Sequence, residues 1–430
     1  MGRKPKMSQK TAKTKTRNGL IAALDVGTTK VACLIAKAGL DDQGRPQVVG
    51  IGHQLSRGVK AGTIIDMDAA ENAIRATVAA AEKMAGENID SVVASLGGAS
   101  LHSRLAAHEV TVTGHEIDDN DLRRIIDPAR LQGDTPSDQQ LIHALPVGYS
   151  IDGSKGIRDP RGMYGQKLGV NLHLVRAGTG PLRNLVTCVA GSHLDVGATV
   201  VGPYAAGLST LVDDERELGS TVVDMGGGTT DISVFFDGEM VFTASLPVGG
   251  NHVTSDIARG LSTSLVEAER AKVLYGCAIA SPADEQDYLV VPLIGEEEDG
   301  GDAQQVSRAE LNAIIRPRLE EIFELVRGTL ETAGFDRVGG RRLVLTGGSA
   351  QLPGLRDLAA LILDKQVRIG RPTRIKGLAD AVSGPAFAVS AGLLHHAFTK
   401  DNLAEILSLR PLSEPTSTLG RVGRWLRENF

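Results

Sequence analysis

The sequence predicts an α/β protein of two related domains that face one another, with a small α+β subdomain inserted in the first. Three observations carry this. The segments "LIAALDVGTTKVACLIAKAG" and "STVVDMGGGTTDISVFFDGEM" share one grammar: apolar strand, Asp, glycine turn with paired threonines, apolar strand. They lie about half a chain apart, a spacing that signals duplicated domains rather than a short-period solenoid. Apolar strands alternate with amphipathic helices around both segments. Residues from about 101 to 176 change character, and the outer pattern then resumes.

Taken in order, residues 1–18 form a basic leader (Arg3, Lys4, Lys6, Lys10, Lys13, Lys15, Arg17) with no acid among them, which reads as solvated and disordered. The first domain is expected over 19–100 and 177–208. It opens with the strand before Asp25, the turn "DVGTTK" and the returning strand "VACLIA". "MDAAENAIRATVAAAEKMAG" has helical spacing, with Gly86 as its stop. "SVVASLGG" is a further buried strand.

The insertion, 101–176, reads as the strands "RLAAHEVTVTG", "LIHALPVGYSID" and "LGVNLHLVRA" around a short capped helix in "DDNDLRRIIDPARL". "PLRNLVTCVAGSHLDVGATVVGPYAAGLSTL" returns to the outer pattern as helix, strand, helix. The second domain is expected over 209–254 and 326–398, with a subdomain at 255–325. "VEAERAKVLYG" is helical and leads into a loop-rich stretch, where "GEEEDGGD" is a solvated acidic loop. A long helix follows Ser307, with Glu310 at capping-box spacing and a break or kink expected near Pro317. "RRLVLTGGSAQLPGLRDLAALIL" is strand, glycine turn, helix. "AVSGPAFAVSAGLLHHAF" is a final core helix, and 399–418 is a polar linker.

Composition narrows the function. The 430 residues are 42% hydrophobic, 23% charged and only 3% aromatic, so aliphatic residues fill the cores. A net charge of -6 gives no reason to expect nucleic-acid binding. Cys33, Cys188 and Cys277 form no CxxC, which points to a reducing compartment and away from a disulfide frame or metal site. No apolar run reaches the ~18 residues of a spanning helix, and no signal-peptide core is present, so a cytoplasmic location is expected.

The chemistry lies in the glycine turns. In Asp25, Gly27, Thr28, Thr29 and Lys30, glycine admits a close phosphate, the threonines donate to it, and Lys30 meets its charge. Asp224 with Gly226, Gly227, Gly228 and Thr229 forms a second turn of the same kind. A lone glycine turn between strands is usually only a hairpin. Three consecutive glycines between buried strands weaken a sheet without compensation, and the pair of motifs points to a phosphate clamp. Asp25 and Asp224 would then sit near Mg²⁺ through its waters. Gly347 and Gly348 of "LTGGSA" would alone read equally as a tight strand-to-helix turn, and in this company read as a floor beneath a base. Glu269 and Lys272, at i and i+3, are by default a surface ion pair and in this company reach toward a nucleoside.

These turns, with "VGPYAAGL" and "PAFAVSAGLL", resemble the actin/Hsp70/hexokinase ATPase superfamily. "DERELGSTVVDMGGGTTDISVF", "VTSDIARGL", "VEAERAKVLYGCA", "RPRLEEIFELV" and "QVRIGRP" resemble, more closely, bacterial cell-division FtsA proteins, from about residue 20 to the end. The resemblance implies an actin-like ATPase fold around a nucleotide cleft, with an FtsA-type insertion. It implies that Asp25, Gly27, Thr28, Lys30, Asp224 and Gly226 to Thr229 bind the phosphates and Mg²⁺ of ATP. It implies that Glu269, Lys272, Gly347, Gly348 and Ser349 bind the nucleoside.

Further implications are self-assembly, recruitment of other division proteins, and binding of the FtsZ C-terminal tail at 255–325. Arg308, Arg316 and Arg318 are the candidates to meet its acids, although each alone reads as an ordinary solvated arginine. "VGATVVGPYAAGL" offers no carboxylate or amide to position water, so at most slow ATP turnover is expected. A small-molecule kinase or a pilus-assembly relative would share the fold. The kinase would carry a catalytic carboxylate in the cleft, and neither should carry an amphipathic end.

That end is "GRVGRWLRENF". On a helix of ~100° per residue, Leu419, Val422, Trp425, Leu426 and Phe430 fall within an arc of roughly 140°, with Arg421, Arg424 and Arg427 opposite. A helix docked on the body would show the same pattern. The polar linker before it, its basic face on an acidic chain and the FtsA resemblance favour anionic lipid at the cytoplasmic face of the membrane, with the tryptophan ring at the headgroup level.

Overall fold

Each domain is built on a meander of three antiparallel strands extended by parallel ones. The structure, a computed structural model, describes residues 19–398 except 38–45, 99, 113, 128–130, 132–134, 295–302, 374, 376 and 379. The basic leader, the linker and the amphipathic end therefore lie outside the described residues.

In the first domain β1 (Leu20–Val26), β2 (Lys30–Lys37) and β3 (Gln47–Leu55) form the meander. A small hairpin, β4 (Val59–Lys60) and β5 (Thr63–Ile64), precedes α1 (Met67–Ala85). The Asp66 side chain caps α1 at the Ala69 N–H, and Gly86 ends it in the left-handed region, as its spacing predicts. β6 (Ser91–Leu96) joins β1 in parallel.

The chain then leaves for the insertion: β7 (Leu101–Thr111), α2 (Asp119–Ile125), β8 (Gln139–Ile151), β9 (Ser154–Ile157) and β10 (Lys167–Gly178). These strands form their own antiparallel sheet, β7-β10-β8-β9, over a separate small core that includes Leu122, Ile125, Leu168 and Leu172. The first domain resumes with α3 (Thr179–Gly191), β11 (Asp195–Val201) and α4 (Gly202–Thr210).

The second domain repeats the plan. After α5 (Asp213–Leu218), the strands β12 (Ser220–Met225), β13 (Thr230–Phe236) and β14 (Glu239–Leu246) form its meander. Next come α6 (Gly250–Gly260), α7 (Leu265–Tyr275), the hairpin β15 (Tyr288–Pro292) and β16 (Ala303–Ser307), and α8 (Arg308–Ala333). β17 (Arg342–Thr346), α9 (Leu355–Leu363), β18 (Gln366–Ile369) and α10 (Ala388–Phe398) complete it.

The large sheets run β3-β2-β1-β6-β11 and β14-β13-β12-β17-β18, so the repeat read in the sequence is a repeat of topology. α4 and α10 cross between them on small residues. A methyl placed on Gly392 would stand 1.7 Å from the Ala205 carbonyl oxygen, so the crossing requires glycine. Val222, Phe235 and Val344 of the second domain share one core with Leu24, Ile74 and Val92 of the first.

Three details differ from expectation. α8 runs as one helix through Pro317, with Ser307 and Glu310 forming the capping box. The loop-rich stretch after α7 contains the β15–β16 hairpin. The glycine turn after β17 leads first into a short 3-10 turn, Gly348–Gln351, before α9 begins.

Candidate functional site

The β1–β2 and β12–β13 turns close identically. Gly27 N–H donates to the Lys30 carbonyl at 2.9 Å, and Gly226 N–H to the Thr229 carbonyl at 2.9 Å. The turns belong to different domains and press against each other. A Cβ on Gly228 would lie 2.5 Å from Thr28 Oγ1, and one on Gly227 would lie 2.3 Å from Thr29 Cγ2. The second and third glycines of the run thus let the two turns meet. Thr28 is itself fixed, because its Oγ1 accepts the Gly62 N–H at 3.0 Å.

Behind the turns stand carboxylates. Asp25 accepts from Ser95 Oγ at 2.8 Å and from Ser390 Oγ at 3.3 Å. Strand register places Asp224 directly opposite Asp231, so both side chains leave the same face of the sheet. Burial pushes the Asp224 carboxyl up to about 8, and the charges of Asp231 and Asp25 push the same way against Lys30. Burial raises Asp231 to about 6, although Ser245 and Thr229 hydroxyls favour its ionised form. Lys30 is lowered by its own burial, against the pull of Asp25 and Asp224. Its ammonium rests on the Ala386 carbonyl and 3.6 Å above the Phe387 ring centroid.

The third turn joins from behind. Gly347 holds φ at 89°, a left-handed value that suits glycine, and a Cβ there would collide with Asp224 Oδ1 at 2.4 Å. Nothing stands within 4 Å of a Cβ built on Gly348. Ser349 Oγ donates to the Gly226 carbonyl at 3.0 Å, and the same carbonyl takes the Gly250 N–H at 2.9 Å. Lys272 reaches the Gly250 carbonyl (3.1 Å), Thr254 Oγ1 (2.8 Å) and Glu269 Oε2 (2.7 Å). Glu269 and Lys272 do pair, but the lysine side chain is only 13% exposed and points inward along α6. The three turns and α7 therefore meet in one place.

The arginines on α8 lie apart from this place. Arg308 binds Asp287 (2.8 Å) and the Tyr275 carbonyl (3.2 Å), and lies 3.7 Å from Asp284. Arg316 binds Glu320 at 2.7 Å. Arg318 grips Asp256 with two nitrogens, at 2.6 and 3.2 Å, and also meets Glu321.

Asp231 and Thr254 were not singled out in the sequence, yet both stand at the site. The signal for Asp231 was present: it is a carboxylate opening an apolar strand, where the first repeat has Ala32. Its carboxylate lies 4.0 Å from a Cβ built on Gly202, at the start of α4. The connecting segment itself lacks a carboxylate, but Asp231 faces it.

A crowd of three carboxylates with one lysine suits a cation. Among the described residues, no group of three or more His, Cys, Asp or Glu forms a ready metal cage. Carboxylate oxygens of this kind suit a hard divalent cation that keeps part of its hydration shell.

The family model for cell division protein FtsA matches residues 221–392, and that for the SHS2 domain inserted in FtsA matches 98–176. The cell division protein FtsA of Rhizobium meliloti is 44% identical over 428 residues, 96% of each chain. That of Agrobacterium fabrum is 43% identical over 425 residues, again 96% of each chain. The chain belongs to the FtsA family. Solved structures share its fold. A PilM–PilN type IV pilus biogenesis complex matches with TM-score 0.63 at 16% identity, over 88% of this chain and 98% of that one. MreB5 of Spiroplasma citri bound to ADP matches with TM-score 0.52 at 15% identity, over 88% and 95%. The match to the inserted domain falls on the sheet of β7, β8, β9 and β10, and the FtsA match runs from β12 into α10.

Proposed function

We propose that this FtsA-family chain binds ATP with Mg²⁺ between its two hairpin turns, assembles with copies of itself, and tethers FtsZ filaments to the cytoplasmic face of the membrane at the division site, where it helps to recruit other division proteins. The observation that carries the nucleotide reading is the meeting of the two turns in front of Asp25, Asp224 and Asp231. In this reading Gly27 to Lys30 and Gly226 to Thr229 hold phosphate with backbone N–H groups and threonine hydroxyls. Asp25 and Asp224 would orient the waters of Mg²⁺, whose charge would favour the ionised form of Asp224. Lys272 and Glu269, set by Thr254, face the nucleoside beside Gly347, Gly348 and Ser349. The solved MreB5 with ADP gives the same fold a nucleotide, which supports the reading.

The FtsZ tail is assigned to the 255–325 region, with Arg308, Arg316 and Arg318 as its candidate acid-binding groups. The membrane contact is assigned to 419–430, with Leu419, Val422, Trp425, Leu426 and Phe430 in lipid and Arg421, Arg424 and Arg427 at anionic headgroups. One such helix is a weak anchor. Assembly arrays many copies on one surface, and avidity then exceeds single-tail affinity by about 10²–10⁴. No helix among the described residues is long and apolar enough to cross a membrane.

Trp425 is the single tryptophan, so it reports its own environment. With anionic vesicles its emission is expected to shift blue and the protein to sediment with them. Both effects should vanish on deleting 419–430 and strengthen with Mg-ATP. An unshifted spectrum with protein left in the supernatant would rule out the lipid assignment.

A further inference from the structure

One short stretch, 385–390, touches three parts of the candidate site and its surroundings. The Pro385 carbonyl accepts the Gly347 N–H at 3.3 Å and the Thr346 hydroxyl at 3.2 Å, at the third turn. The Ala386 carbonyl accepts the Lys30 ammonium, and the Phe387 ring lies under it. The Ala388 carbonyl accepts Ser209 Oγ of α4 at 2.6 Å. Ser390 Oγ donates to Asp25 at 3.3 Å. The first hairpin, the third turn and the connecting helix are thus all tied to one segment.

That segment is continuous with α10, which ends at Phe398, and the remaining chain to Phe430 follows directly. Lys30 has only one ammonium to give. A phosphate bound in the turn would compete for it with the Ala386 carbonyl and the Phe387 ring. A charged phosphate oxygen is a stronger acceptor than a neutral carbonyl with a ring face. Asp25 is divided in the same way, between the Ser390 hydroxyl and any hydrated cation.

We propose that 385–398 senses nucleotide, with Phe387 and Ser390 acting as positioning residues that hold Lys30 and Asp25 in a parked state which phosphate must displace. This rests on the nucleotide reading above and adds its regulation. Phosphate draws Lys30 away from Ala386 and Phe387, and the hydrated cation draws Asp25 from Ser390. The start of α10 then loses two of its ties, and occupancy of the cleft reaches the part of the chain that carries the C-terminal segment.

The test uses the full chain, a fluorescent ATP analogue for affinity, and hydrogen exchange for the segment. Phe387 also packs with Ala32 and Val382, so Phe387→Leu keeps an apolar side chain and removes the ring face. Removing a competitor for Lys30 should tighten ATP binding by roughly three- to tenfold. A purely structural Phe387 predicts the opposite sign, weaker binding through a disordered site. In the wild type, Mg-ATP should speed amide exchange over 385–398. In Phe387→Leu and in the near-isosteric Ser390→Ala, exchange there should be fast already and respond less.

ATP binding with unchanged or slowed exchange over 385–398 in the wild type would overturn the sensor and leave the nucleotide reading intact. Failure of the wild type to bind the analogue at all would remove both. The wild-type exchange measurement does not depend on either variant folding.

Discussion

At the scale of single residues, the site is set by what two glycines do not have. Gly228 lacks the Cβ that would strike Thr28, and Thr28 cannot turn aside without losing the Gly62 N–H. Gly228→Ala should therefore hold the two turns apart rather than unfold either sheet. Overpacking of this kind costs about 1–3 kcal/mol where nothing yields. The expected result is ATP affinity reduced at least about tenfold, with the far-UV spectrum and cooperative melting retained. Wild-type affinity in this variant would show that the turns need not meet for binding. Gly347→Ala is the harsher change, because a left-handed φ and the collision with Asp224 act together.

At the scale of elements, α8 shows why the three arginines are unequal. Arg316 and Glu320 form an exposed i,i+4 pair, side chains 42% and 41% accessible, and such pairs contribute little. Its guanidinium can therefore be redirected to an acidic peptide at small cost. Arg318 instead binds Asp256 through two nitrogens and fastens α8 to α6, and Arg308 fastens α8 to the start of β15 through Asp287. Charge reversal at Arg316 should weaken binding of an FtsZ tail peptide at unchanged melting temperature. Reversal at Arg318 should lower stability itself, by roughly 1–2 kcal/mol for the lost charge-assisted bonds. Calorimetry beside peptide titration separates the two, and peptide affinity untouched by all three reversals would discard the arginines as the docking site.

Elements also mark what the sequence could disclose. The glycine turns were legible because Asp, Gly and Thr between apolar runs have few other uses. α1 and α8 were legible from their caps. The β15–β16 hairpin was not, since "YLVVP" is apolar throughout and does not reveal that Leu289 and Val291 turn inward while Tyr288 and Val290 are exposed. Asp231 showed as a carboxylate in an apolar strand, but its pairing with Asp224 is set by strand register, and the contacts of Lys30 depend on 385–387 folding over it.

At the scale of the whole molecule, the insertion is pinned to both domains by two neutral histidines. His143 Nε2 accepts the Val201 N–H at 3.1 Å, just ahead of α4. His173 is threaded between strands: the Thr243 N–H donates to Ser103 Oγ (3.2 Å), the hydroxyl meets His173 Nε2 (2.7 Å), and Nδ1 meets the Met240 carbonyl (2.8 Å). A carbonyl can only accept, so Nδ1 carries the proton and Nε2 receives the hydroxyl. Burial, with His396 and His173 nearby, lowers His143 to about 3, and burial lowers His173 to about 4 against the Met240 bond. The unfolded chain, with histidine near 6.5, binds more protons below that pH, so these groups make stability fall as pH drops from about 6.5. Asp224 acts with the opposite sign. Its carboxyl holds a proton up to about 8 in the fold and loses it near 3.8 when unfolded, so it makes stability fall as pH rises between those values. The two effects overlap in the wild type, and variants separate them. His143→Gln should gain on the wild type in urea midpoint as pH is lowered from 7 to 5, by up to about 2 kcal/mol. Asp224→Asn should gain on the wild type as pH is raised from 5 to 8, in protein free of nucleotide. pH slopes of the same sign, or ones flat with pH, would mean that the insertion is not held by neutral histidines or that Asp224 does not keep its proton in the fold.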